Sequence, residues 1–181
     1  MLDRIKRALT IDKIIICTST NPQDDPLEEI AGQEQVSCFR GSEEDVLVRL
    51  LDAAQSHGLK YFANITADCP MKDPLLIDRA VLEYRNADDD LLKYDDSNAD
   101  LPFDCYRIKV SALEKVCKKK KETDTEVWLK HFTSNPELKI CSIDVEYKYR
   151  HKTLKTSSDY PEDYKFITCV FADSICKIQF F

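Results

Sequence analysis

The chain has 181 residues, enough for one full-sized domain with a sizeable core and with no surplus length that demands a second. Its 33 acidic against 26 basic residues give a net charge of -7, which argues against unspecific binding to nucleic acid or anionic lipid, since both reward a basic face. In MLDRIKRALTIDKIIICTS charges interrupt a short apolar run, no small-residue cleavage site follows, and no apolar run approaches the roughly 20 residues of a membrane span, so a soluble, cytoplasmic protein is expected.

From the amino terminus, IIICTS (14–19) reads as a buried strand, followed by the turn-like NPQDDP and a short helix over LEEIAGQ (27–33). VSCF (36–39) is a second strand. The next segment, EEDVLVRLLDAAQSHG (43–58), is an amphipathic helix with Val46, Leu47, Leu50, Leu51 and Ala54 at helical spacing, Ser42 to cap its start and Gly58 to end it. YFANIT (61–66) is a third strand, and PLLIDRAVLEYRN (74–86) a helix with proline in its first turn.

The acidic stretch ADDDLLKYDDSNADLP reads as a solvated loop. Beyond it come a strand over 105–110, a helix over 111–121 capped by Ser111, and a short helix over 123–132. Lys118 to Lys121 read as a solvated helix end, where cations suit the dipole. Strands over 138–147 and 149–156 precede a helix over 161–172. The eight cysteines show no CxxC spacing, so free, buried thiols are expected rather than disulfides or a zinc site.

Strands alternating with helices imply parallel pairing with right-handed crossovers, hence an α/β sheet layered by helices. Ligands of such sheets gather at the carboxyl ends of the strands, which here carry Thr18 to Thr20, Arg40 to Ser42 and Thr66 to Asp68. With only three glycines, neither GxGxxG nor GxxxxGK[ST] can be written, and no nucleophile motif is present. His57, His131 and His151 are scattered and read as structural or surface residues. Carboxylates remain: Asp68 after a strand, and Asp159 before a helix. Two carboxylates from distant parts of a chain can hold magnesium, which keeps waters and takes phosphate oxygens as further ligands. The bland alternative is that Asp159 caps its helix and Asp68 the turn before Pro70.

MLDRIKRALTIDKIIICTSTNPQDDPLEEIA, FRGSEEDVLVRL, NITADCPMKDPLLID, LPFDCYRIKVSALEKV and SSDYPEDYKFI, in this order, resemble the cytidylyltransferase family. The similarity is to the spore coat polysaccharide biosynthesis protein F type, related to the synthetases that activate KDO and neuraminic acid as CMP conjugates. This resemblance implies a glycosyltransferase-A-like fold with a mostly parallel sheet, lacking the family's usual first strand. It implies transfer of CMP from CTP to a sugar in polysaccharide precursor synthesis, with Mg2+ held by Asp68 and Asp159. Arg40, Gly41 and Ser42 match the nucleotide turn, and Thr66 and Ala67 the segment beside base and ribose. Where relatives often have GDCP this chain has ADCP, and DTEVW departs from their REHVT-like stretch, with Glu126 in register.

Relatives neutralise the β and γ phosphates with a basic, glycine-rich loop on the first strand; by the resemblance it falls upstream of Met1. A chain without it is expected either to act with that loop supplied, or to be a non-catalytic relic or binding subunit. A sheet edge left open by an absent strand predicts homodimerisation.

Overall fold

The computed structural model describes residues 1–84, 88–95, 105–146, 155 and 157–178. A one-turn helix α1 (Leu2–Ile5) leads into strand β1 (Ile15–Ser19), a 3-10 turn (Pro22–Asp24), helix α2 (Asp25–Gln33) and strand β2 (Ser37–Gly41). Then follow α3 (Val46–Ser56), β3 (Tyr61–Asn64), α4 (Pro74–Tyr84), β4 (Leu91–Tyr94) and β5 (Tyr106–Lys109). The chain continues through α5 (Val110–Lys119), α6 (Leu129–Thr133), β6 (Ile140–Ile143) and α7 (Pro161–Ile178).

The strands fall into two ladders. β1 and β2 pair in parallel, Ile15 opposite Ser37 and Ser19 opposite Gly41. The other four take the order β3-β5-β4-β6, with β4 parallel to β6 and β5 antiparallel to both of its neighbours. The parallel pairing expected from strand–helix alternation therefore holds for β1 with β2 and for β4 with β6, whereas β3 pairs antiparallel with β5.

Helices cover both faces. Leu91 and Leu92 are adjacent on β4, and the period of two sends them to opposite sides. Leu92 joins Ile5, Ala8, Leu76, Ile77 and Ala80 under α1 and α4, while Leu91 joins Leu47, Leu113, Val116 and Phe132 under α3, α5 and α6. This double burial explains why LLKY is a strand within a run that reads as an acidic loop: four residues are too few to show a period, and the flanking aspartates dominate the composition. One of them, Asp90, is buried and accepts the Lys139 N–H at 3.0 Å, tying β4 to the start of β6.

Local chemistry sets the helix ends. Asp45, not Ser42, is the N-cap of α3, accepting the Val48 N–H at 3.1 Å, while Ser42 accepts the Asp45 N–H at 3.0 Å. Gly58, at φ +64, follows the last turn in the left-handed region that a glycine adopts without strain. α5 starts at Val110 without a side-chain cap, so Ser111 does not serve as one. Helix α6 covers only 129–133, because Thr125 is drawn into hydrogen bonds with the start of α3.

The segment between α1 and β1 is held to α4 by Asp78, which accepts the Leu9 and Thr10 N–H groups and the Thr10 hydroxyl. Burial pushes the Asp78 carboxyl up, but those donors outweigh it and hold the group below its ordinary value.

None of the seven described cysteines is in a disulfide; among them only Cys105 is buried, Cys169 is exposed and the rest are half-buried. Burial pushes the thiols of Cys17 and Cys117 up to about 11, which keeps them protonated and unreactive. Among the described residues no helix is long and apolar enough to cross a membrane. The strand expected over 149–156 lies outside the described residues, apart from Lys155.

Candidate functional site

The carboxyl ends of β1 and β2 form the first part of the rim. Thr18 and Ser19 are buried there, and both hydroxyls donate to Asp24, which also accepts the Ser19 N–H at 3.2 Å. Those bonds, led by the Ser19 hydroxyl, hold the Asp24 carboxyl below its ordinary value. The Thr20 N–H donates to the Gly41 carbonyl at 3.0 Å and ties the two strand ends together.

Arg40 is anchored from all sides. Its Nε donates to the Ser19 carbonyl at 3.0 Å and Nη2 to the Asn21 carbonyl at 2.9 Å, while Nη1 meets Asp25 at 2.7 Å and Glu28 at 3.2 Å. The guanidinium closes the NPQDDP turn against β2. Two carboxylates already balance its charge.

The second part of the rim follows β3. Thr66, Ala67 and Asp68 are exposed on a turn closed by the Cys69 N–H donating to Thr66 at 3.3 Å. The Ser158 N–H donates to the Asp68 carbonyl at 2.7 Å, which sets the segment carrying Asp159 beside the turn carrying Asp68, although about half the chain separates them. The Asp68 carboxylate takes no hydrogen bond or ion pair among the described residues.

Asp159 does not cap α7. That role belongs to Asp163, which reaches back from the first turn to accept the N–H groups of Asp159 at 3.1 Å and Tyr160 at 2.9 Å. The Asp159 carboxylate instead meets Lys155 at 2.9 Å and the Ser157 hydroxyl at 3.0 Å. Lys155 bridges it to Asp163 at 2.6 Å, with its ammonium 4.6 Å from the Tyr160 ring centroid. Hydrogen bonding to Lys155 is the main reason both carboxyls lie below their ordinary values.

The predicted residues thus form two groups. Asp68 and Asp159 come together with Thr66 and Ala67, while Arg40, Gly41 and Ser42 sit at the end of β2. Among the described residues no hydrogen bond joins one group to the other.

The donor set suits a hard cation in part. No three His, Cys, Asp or Glu side chains form a ready-made cage among the described residues. Magnesium asks for less: one or two carboxylates, water and phosphate oxygens. The exposed Asp68 carboxylate, on a turn whose backbone is bonded to the segment carrying Asp159, is the kind of ligand such an ion takes.

The sequence pattern of the family described as cytidylyltransferase matches residues 1–169. The chain belongs to the cytidylyltransferase family. It is 27% identical over 167 residues to an uncharacterized protein, MJ1063, of Methanocaldococcus jannaschii, covering 91% of this chain and 68% of that protein. A cytidylyltransferase structure from Leptospira borgpetersenii superposes with a TM-score of 0.83 at 25% identity, covering 95% of this chain and 74% of that one. A CMP:2-keto-3-deoxy-manno-octonic acid synthetase complexed with CTP shares the fold at a TM-score of 0.72 and 10% identity, with 96% and 86% covered. These similarities establish the α/β nucleotidyltransferase fold.

Several residues beside these turns give no signal in the sequence. Lys155 lies in a stretch without periodicity, and its reach to Asp159 and Asp163 appears only once α7 is formed. Lys120, read as part of a solvated helix end, instead has its side chain largely covered, with its ammonium on Asp45 and a second bond to the Glu122 carbonyl at 3.0 Å. Arg49 reads as one more polar position of an amphipathic helix, yet it reaches back beneath the turn that follows β2.

Proposed function

We propose that this chain is a magnesium-dependent cytidylyltransferase that moves CMP from CTP to a sugar hydroxyl and releases pyrophosphate, in the synthesis of a polysaccharide precursor, as in the spore coat polysaccharide type. The observation that carries the reading is the Ser158–Asp68 backbone bond, which brings two distant acidic segments to one end of the sheet. Asp68 and Asp159 would hold the cation, and when bound it would neutralise charge on the phosphate oxygens. Thr66 and Ala67, exposed on the same turn, would border the base and ribose, with Arg40 to Ser42 shaping the opposite side. The chain's own part is orientation: two rigid strand-end turns bring hydroxyl and α-phosphorus into line.

Binding of CTP measured by calorimetry with magnesium tests this. Wild type should bind, and Asp68→Asn should lose at least about tenfold in affinity, in line with the loss of one charged ligand. Equal binding by the two proteins removes the metal role.

A second reading has its own support. Arg40 is consumed by Asp25, Glu28 and two carbonyls, so it offers no spare charge to the β and γ phosphates. On that reading the chain is a binding subunit that holds CTP without transferring it. Pyrophosphate release in the presence of a panel of acidic and neutral sugars separates the two. Release supports the transferase; CTP binding with no release across the panel supports the subunit.

A further inference from the structure

Arg49 occupies an unusual place. It lies one turn inside α3, near the positive end of the helix dipole, where a cation is disfavoured. Its guanidinium turns back along the helix, and Nη1 donates to both the Ser42 carbonyl and the Glu43 carbonyl, the latter at 3.1 Å. Its Nε is shielded from solvent and has no hydrogen-bond partner, so the arginine leaves a donor unused to make this reach. The stem passes directly beneath Gly41: a Cβ there would stand 3.0 Å from the Arg49 Cγ.

The grip fixes two successive peptide planes. A trans peptide holds its C=O and the following N–H antiparallel, so carbonyls of Ser42 and Glu43 drawn inward turn the N–H groups of Glu43 and Glu44 outward. Neither amide donates a hydrogen bond within the protein among the described residues. The same turn is secured further along by Asp45, through Ser42, Val48, Thr125 and Lys120. Backbone amides of Thr20 and Thr125 hold the Gly41 and Glu44 carbonyls, and Arg49 is the side chain that holds the two carbonyls between them, Ser42 and Glu43.

We propose that Arg49 is a positioning residue for nucleotide binding, holding the Arg40–Glu44 turn in the one backbone conformation that accepts the nucleotide. This rests on the nucleotide role proposed above for Arg40 to Ser42. Arg49 touches no substrate; it acts through the carbonyls it holds. A lysine at this place would keep the charge and much of the stem, but its ammonium ends one bond short of Nη1, the atom that holds both carbonyls.

The test compares wild type, Arg49→Met and Arg49→Lys in two measurements: the backbone amide resonances of Glu43 and Glu44 without ligand, and the CTP dissociation constant with magnesium. Displaced amides and at least about tenfold weaker binding in the methionine variant, with partial recovery in the lysine variant, are expected for a lost polar anchor. Unchanged amides overturn the grip, and wild-type CTP affinity in folded Arg49→Met overturns the positioning role. If the methionine variant does not fold, Arg49→Lys decides alone: wild-type affinity there overturns the proposal. Wild type failing to bind CTP sinks the nucleotide reading itself, a result distinct from equal binding by wild type and variant.

Discussion

At the scale of single residues, Gly41 is held by sterics rather than by backbone freedom. Its φ lies outside the left-handed region, but a Cβ would stand 3.0 Å from both the Arg49 Cγ and the Phe39 Cε1. Gly41→Ala should therefore destabilise by about 1–2 kcal/mol, the usual effect of one methyl forced into a filled space. Urea unfolding measures it, and an unchanged midpoint would mean that ring and stem yield without resistance. Sequence alone marks Gly41 only through its place in FRGS, because the atoms that exclude a side chain belong to Arg49 on α3 and to the Phe39 ring, and only the fold brings them there. Capping at α7 shows the same limit. Asp159 and Asp163 both lie within reach of its first turn, and only the fold shows that Asp163 takes the backbone amides, leaving Asp159 to face Lys155.

At the scale of elements, the long periodic helices α3, α4 and α5 are legible because one face must meet the sheet, and the same periodicity that predicts them selects their core residues. What joins them is not legible. Lys120 at the end of α5 reaches Asp45 at the start of α3 across 75 positions, with the two side chains 8% and 12% exposed. Thr125, fully buried, donates to Asp45 at 3.0 Å and accepts the Leu47 N–H at 3.0 Å. Burial pushes the Asp45 carboxyl up, but the bonds from Lys120, Val48 and Thr125 prevail and hold it below its ordinary value. A carboxylate held low in the fold stabilises it at every pH above its unfolded value, and this contribution disappears as pH falls through the lowered folded value. Lys120→Met should cost about 2–3 kcal/mol at neutral pH, toward the low end for breaking a buried pair because Asp45 keeps its other donors. It should also flatten the loss of stability on acidification below about pH 4. Thermal midpoints of the two proteins between pH 3 and pH 7 measure both effects. Parallel curves, with no narrowing toward acid, would show that Lys120 does not set the Asp45 titration.

At the scale of the whole molecule, the two ladders leave backbone groups addressed to the space beyond them. Ile14 accepts the Ser37 N–H and Thr20 donates to Gly41, so the even-numbered residues around β1 face β2, and Ile15 and Cys17 must face the other side. On β3 the Lys60 carbonyl accepts the Val110 N–H, so Phe62 and Asn64 address β5 and Ala63 faces away. Helix α3 packs on β1 and β2 as well as on α5, and Ile14 and Ala63 border the same core. Both edges therefore lie under shared cover, an arrangement that suits one added strand better than water. Hydrogen exchange resolves this residue by residue. In dilute protein the amides of Cys17 and Ala63 should exchange at least about tenfold faster than those of Ile16 and Phe62, the contrast between an edge and a ladder position. If two copies meet through these edges, protection at Cys17 and Ala63 should rise with concentration as the sedimentation coefficient moves to that of a dimer. Fast exchange in a protein that remains monomeric at high concentration removes the homodimer. Slow exchange in dilute monomer would show instead that the edges are already paired within the chain, and the two-ladder description would give way to a continuous sheet.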